Sequence, residues 1–254
     1  MVRIALLALL WLVPGPMAAV TLRGAVAASF APVARELGER FREVTGHEVA
    51  WSAGSTGKLY AQIVQEAPFD LFLAADVERP RRLEAGGRIV AGSRATYARG
   101  RLALWAPGRA ASPSLLRDPR IRLALANPDV APYGAAARDL LEAEGVWDPS
   151  APRFVRGDDV GQTSAFVRAG AVDAGLVALS SVRRLELPGG EVWVVPRERH
   201  GPLEQQGVVL SRGQIAESLS FLAFLRSAEA RRVIRQAGFD LPEEPVAQGS
   251  GDGR

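Results

Sequence analysis

The sequence predicts an α/β protein of two lobes, and three observations carry that prediction. Short apolar strands alternate with amphipathic helices, the strand-turn-helix plan starts afresh near residue 101, and the last two helices have no strands of their own to cover. With 254 residues, 48% of them hydrophobic, the chain can bury one large core or two modest ones.

Thr21-Leu-Arg-Gly-Ala-Val-Ala27 reads as the first strand and Ala28-Ser29 as a turn. In the next helix Phe30, Val33, Ala34, Leu37, Phe41 and Val44 recur three or four apart and form one apolar stripe. Ser29 is its expected N-cap, Pro32 fits the first turn and Gly46 ends it. His47 to Ser52 repeats the strand, 53–57 the turn, and a helix with Leu59, Ile63 and Val64 on its buried side follows. Phe69 to Ala75 is a third, continuously apolar strand, leading through Asp76 into a helix that stops near Gly86-Gly87. Strands without polar alternation, separated by helices, predict a parallel sheet covered on both faces, with the turns gathered at one edge.

The second cycle has strands at 101–106 and 121–126, a loop at 127–132, a helix from Tyr133 to about Glu144 and a loop at Gly157-Asp-Asp159. A helix from Val160 to about Ala169 and strands at 175–178 and 192–195 follow. After Pro196 come a strand at 206–210 and helices at 214–226 and 228–236, whose apolar faces include Ile215, Leu219, Leu222, Val233 and Ile234. These helices are expected to return to the first lobe. The chain then crosses between lobes near Arg99-Gly100 and between His200 and Gln206, which suits a hinge. The expected division is 20–99 with 204–243 for the first lobe, 100–203 for the second, and 244–254 for a disordered tail.

Met1-Val-Arg3, the apolar run Ile4 to Val13 and the small-residue end Pro14 to Ala19 have the parts of a secretory signal peptide, with cleavage expected after Ala19 or at nearby Ala18. The run is too short to span a bilayer comfortably, so an exported protein of the periplasm is expected. The zero cysteine count excludes a thiolate metal site or a cysteine nucleophile. A formal charge of +3, or +2 once Arg3 is removed with the leader, is spread among interleaved acids and bases, which argues against nucleic acid as a partner.

No strong catalytic constellation stands out. His47 and His200 have no serine-elbow motif to serve, so an exported serine hydrolase is the weaker alternative, and an enzyme is not expected. What recurs is a small hydroxyl or glycine residue in a tight strand-to-helix turn. Such turns offer unpaired backbone N–H groups and the positive end of a helix dipole, which suit a small anion. Ser29 and Ser55-Thr56-Gly57 add hydroxyls in the first lobe; Tyr133 and Val160 open the matching helices of the second. Gly54-Ser-Thr-Gly57 lacks the nucleotide-loop pattern, and Asp158 and Asp159 read as helix caps set behind the pocket. Lys58, the only lysine, is expected to face solvent.

Ala27-Ala-Ser-Phe30, Gly54-Ser-Thr-Gly-Lys-Leu-Tyr-Ala-Gln-Ile63, Ala67-Pro-Phe-Asp-Leu-Phe-Leu-Ala-Ala-Asp76, Ala126-Asn-Pro128 with Pro132-Tyr-Gly134, Gly175-Leu-Val-Ala-Leu-Ser180 and Pro202-Leu-Glu-Gln-Gln-Gly-Val-Val-Leu210 resemble, in order and spacing, the signature blocks of the periplasmic molybdate-binding proteins. The resemblance implies a type II periplasmic binding fold with an intact oxyanion, molybdate or tungstate, held in the cleft by neutral donors and without direct protein–metal ligands. It places the contacts on Ser29, on Thr56 with Ser55 as the alternative, on Tyr133 and on Val160. It further implies no cofactor, a monomer, and delivery to an ABC importer made of a permease and its ATPase. One departure is Ala178, where some members of that family have a tyrosine. A receptor for sulfate or phosphate is the alternative within the fold.

Overall fold

Two five-stranded mixed sheets organise this computed structural model, which describes residues 19 to 242 apart from 184 and 186. The expected leader, Ala19 apart, and the expected tail lie outside the described residues. The chain opens with β1 (Thr21–Ala27), α1 (Ala31–Thr45), β2 (Glu48–Gly54), α2 (Thr56–Val64), β3 (Leu71–Leu73), α3 (Glu78–Ala85) and β4 (Ala95–Arg99). It continues through β5 (Leu102–Trp105), α4 (Pro113–Arg117), β6 (Leu123–Ala126), α5 (Pro132–Ala143), β7 (Phe154–Gly157), α6 (Val160–Arg168), β8 (Ala174–Ala178), α7 (Leu179–Val182) and β9 (Val192–Val194). β10 (Glu204–Val209), α8 (Ile215–Phe224) and α9 (Ala228–Gln236) complete it.

The first sheet has the order β2-β1-β3-β10-β4 and the second β7-β6-β8-β5-β9. Parallel pairing holds for β2-β1-β3 and for β7-β6-β8, where helices connect successive strands. The other half of each sheet corrects the expectation of a parallel sheet. β10 runs antiparallel to β3 and β4, and β5 antiparallel to β8 and β9, because these strands arrive from a crossover between the sheets and not from a covering helix.

Register sets where the strands stop. β1 and β2 pair from Thr21 with Glu48 to Ala27 with Gly54, and β6 and β7 from Leu123 with Phe154 to Ala126 with Gly157. Each pair therefore ends level, at one edge of its sheet, where α1, α2, α5 and α6 begin.

The return helices cover the first sheet as their apolar faces require. Phe221, Ala230, Val233 and Ile234 share a core with Leu37 and Phe41 of α1. The stripes are narrower than their sequence periodicity, since Val44, Val64, Ile215 and Leu219 are exposed. Between the sheets the two crossovers run side by side, the Gly100 N–H donating to the Leu203 carbonyl at 2.8 Å. Asp240 joins them, exchanging backbone hydrogen bonds with Arg99 and pairing through its carboxylate with Arg101 and Arg197.

Candidate functional site

The four helix starts face one another across the cleft, and each spends its end groups differently. α1 begins after Phe30, not Ser29, and Phe30 makes no side-chain cap bond. Its ring is fully buried, edge-on to Tyr97 at 4.7 Å and Phe239 at 5.3 Å, and this anchor moves the helix start one residue beyond the expected cap. Ser29 is thereby released from capping. Its hydroxyl accepts from Gln205 Nε2 at 3.4 Å, and its carbonyl accepts from the Ser180 hydroxyl of the opposite lobe at 2.9 Å.

Ser55 caps α2, accepting the Lys58 N–H at 3.4 Å, while the Thr56 hydroxyl accepts the Ala75 N–H at 3.1 Å. Both hydroxyls are buried, and both keep a proton to donate. α5 starts at Pro132, which has no N–H, and Ala131 gives no side-chain cap, so the N–H of Tyr133 has no acceptor within its helix. Gly134 lets that helix sit on β6, where a Cβ would lie 2.3 Å from the Ala126 carbonyl oxygen. In α6 the Asp159 carboxylate takes the N–H groups of Gly161 and Gln162 at 2.8 and 2.9 Å, leaving that of Val160.

These ends enclose a small cavity lined by Ser29, Ser55, Thr56, Tyr133 and Val160 among others. All five residues expected from the sequence thus meet in one place. Among the described residues no lysine or arginine lines it, and the one carboxylate there, Asp159, corrects the expectation that both aspartates sit behind the pocket. Two N–H donors disperse its charge, and Asp158 is turned to the rim, 2.8 Å from Lys58 Nζ. Lys58 is half exposed and spans the cleft mouth. Ala178 is fully buried at the end of β8 and is not among the lining residues.

The Tyr133 phenol rests over the hinge: a Cβ on Gly100 would lie 2.2 Å from its oxygen. Burial raises its pKa well above the ordinary tyrosine value, partly countered by Ser29, Gln205 and the Arg101 backbone close by. None of these is aligned as a hydrogen-bond partner of the buried oxygen. The neutral phenol therefore holds an unspent proton.

At the rim the Gly57 N–H donates to the Val130 carbonyl at 2.8 Å and Arg79 Nη2 to that of Asp129 at 3.3 Å. A Cβ on Gly57 would press to 2.8 Å on the Val130 oxygen. Gly57, Gly100 and Gln205 were not legible in the sequence as site-forming. Gly57 acts across the cleft, Gly100 at the hinge against Tyr133, and Gln205 within the first lobe through Tyr97 and Ser29; only the Gly57 turn carried a local signal.

His47 Nδ1 accepts the Val20 N–H, and His200 Nδ1 pairs with the Gly201 carbonyl; neither ring meets a serine hydroxyl among the described residues. A larger cavity, lined by Arg23, Phe69, Arg88, Leu210 and Arg212 among others, opens on the first lobe away from the starts of α1, α5 and α6. No group of acidic or histidine side chains placed to hold a metal ion occurs among the described residues.

Two α/β lobes, joined by paired crossovers and presenting uncharged donors across a small cleft, define a binding protein for a small solute. The family of bacterial extracellular solute-binding proteins matches residues 22–240, and the chain belongs to it. It is 39% identical over 228 residues to the molybdate-binding protein ModA of Rhodobacter capsulatus, covering 88% of this chain and 90% of that one. The counterpart from Azotobacter vinelandii is 39% identical over 223 residues, with 85% and 88% covered. A solved structure of the Azotobacter vinelandii periplasmic molybdate-binding protein superposes with a TM-score of 0.83 at 34% identity, over 87% of this chain and 100% of that one.

Proposed function

We propose that the protein captures molybdate in the periplasm and delivers it, unaltered, to an ABC importer. The observation that carries this reading is the convergence of hydroxyl and backbone donors at four helix starts on one small cavity that no lysine or arginine among the described residues lines. A dianion held by several dipoles is stabilised without a fixed counter-charge, and closing the lobes removes the water that competes for those dipoles. Ser29, Thr56, Ser55, Tyr133 and Val160 are the proposed contacts, with the N–H groups of Tyr133 and Val160 supplying the second lobe's share.

Tungstate, nearly the same size as molybdate, is taken as well. Sulfate and phosphate are discriminated by size, and about 3 kcal/mol of misfit is roughly a hundredfold in affinity. The relatives named above support the oxyanion, and the matched family supports a transport role and not catalysis. The working unit is a monomer whose lobes, 20–99 with 204–243 and 100–203, swing about the paired crossovers.

The test is calorimetric titration of the mature protein with molybdate, tungstate, sulfate and phosphate side by side. Tight binding of the first two and weak binding of the others is expected. Preference for sulfate or phosphate would reassign the receptor within its fold, and absence of heat with all four would reject the oxyanion reading.

A further inference from the structure

Behind Ser29, outside the cavity lining, lies Gln205 of β10, a side-chain amide with no exposure to solvent. Its two ends are engaged in opposite senses. Oε1 accepts from the Tyr97 hydroxyl at 3.0 Å, and Nε2 donates to Ser29 Oγ at 3.4 Å. The other acceptor within reach of the Tyr97 hydroxyl is the Ala74 carbonyl, at 3.4 Å, so the single phenolic proton goes to the nearer amide oxygen. That choice fixes which way the amide faces. A serine hydroxyl that already accepts from behind has one proton left to give, and Ser29 lines the cavity beside the Tyr133 phenol, where a guest can take that proton.

The surroundings hold the amide in this orientation. A Cβ on Gly100 would come within 3.2 Å of Gln205 Nε2 and 2.2 Å of the Tyr133 oxygen, so the hinge glycine, the phenol and the amide nitrogen meet at one point. Turning the amide over would leave the Tyr97 proton only the longer acceptor at Ala74 and set a carbonyl oxygen beneath Ser29.

We propose that Gln205 is a positioning residue of the oxyanion site: the relay Tyr97 to Gln205 to Ser29 makes every hydroxyl proton point one way, so that Ser29 meets a fully deprotonated tetrahedral anion as a donor only. This inference rests on the oxyanion reading. It assigns a role in recognition to a side chain that never touches the guest and that lies 176 positions from Ser29 in the chain.

The experiment is a double-mutant cycle read by calorimetry with molybdate: the unsubstituted mature protein, Ser29→Ala, Gln205→Met and the double variant, each checked for folding by its melting temperature. Gln205→Met alone is expected to weaken binding roughly tenfold, the scale of a hydrogen bond to a charged group. On the Ser29→Ala background the same change should cost less than about twofold, because no hydroxyl is left to orient. An equal loss on both backgrounds, or none on either, overturns the relay.

Gln205→Glu supplies a second readout that a merely structural role does not move. Its carboxyl can donate only while protonated, so affinity should fall from about pH 6 to about pH 9 more steeply than in the unsubstituted protein. Parallel slopes count against the relay. If the unsubstituted protein gives no heat with molybdate, the oxyanion reading and the relay fail together; if it binds and the cycle is additive, the relay alone fails.

Discussion

Ser29→Ala and Lys58→Ala separate a neutral site from one built on charge. Ser29 is buried and lines the cavity, whereas Lys58 is half exposed and already paired with Asp158. Loss of the hydroxyl should weaken molybdate binding about tenfold, and loss of the ammonium about threefold or less. Calorimetry giving the reverse order would mean that an ammonium, not dipoles, holds the guest. Tyr133→Phe tests the unspent phenol in two directions at once. Removing a buried hydroxyl without a partner should raise the melting temperature of the unloaded protein while lowering molybdate affinity; unchanged affinity would take the phenol out of the donor set. The five cavity residues were legible because each sits in a turn or opens a helix, positions whose end groups are unspent. Gln205 was not, since a buried amide in a strand has no periodic or capping signature.

At the level of elements, the α2 start and the loop before α5 form a latch. Gly57 donates to Val130 across the cleft and has no room for a methyl group, yet its position in the first turn of α2 would favour alanine in isolation. Gly57→Ala should therefore leave the melting temperature of the unloaded protein unchanged or raised, while speeding molybdate release about tenfold with little change in association rate. Stopped-flow dissociation measures this, and unaltered release would show that the lobes close without the contact. The long helices and the parallel strands other than β7 were read correctly because their periodicities differ plainly, whereas α4 and α7 are too short to show one. β4 and β7 were missed, since Ala-Thr-Tyr-Ala-Arg and Phe-Val-Arg-Gly are short and only weakly patterned. The antiparallel half of each sheet was missed because nothing local states which way a returning strand will run. The shift of the α1 cap from Ser29 to Phe30 has the same origin, a ring seated between Tyr97 and Phe239 from distant segments.

For the molecule as a whole, burial raises the pKa of both Tyr97 and Tyr133 above the ordinary value near 10. In the unfolded chain these phenols ionise first, so the stability they protect is intact below that value and is lost as pH climbs beyond it. Chemical denaturation at about pH 8 and about pH 10.5 should show this fall, and Tyr133→Phe should lessen it; equal falls would assign the effect elsewhere. The two-lobed plan was legible from the restart near residue 101 and from two helices left without strands. The clasp of Asp240 on Arg101 and Arg197 was not, for it depends on how three remote stretches come to lie together. The placement of β10 between β3 and β4 has a consequence for maturation. If the chain is threaded through a membrane from its N-terminus, it delivers the whole second sheet, 102–194, before β10, the strand that joins β4 to β3. The later-made lobe can thus fold first, and in the earlier one β4 stays unjoined to β3 until 204–209 have emerged, so such an intermediate has no finished receptor with which to trap its cargo.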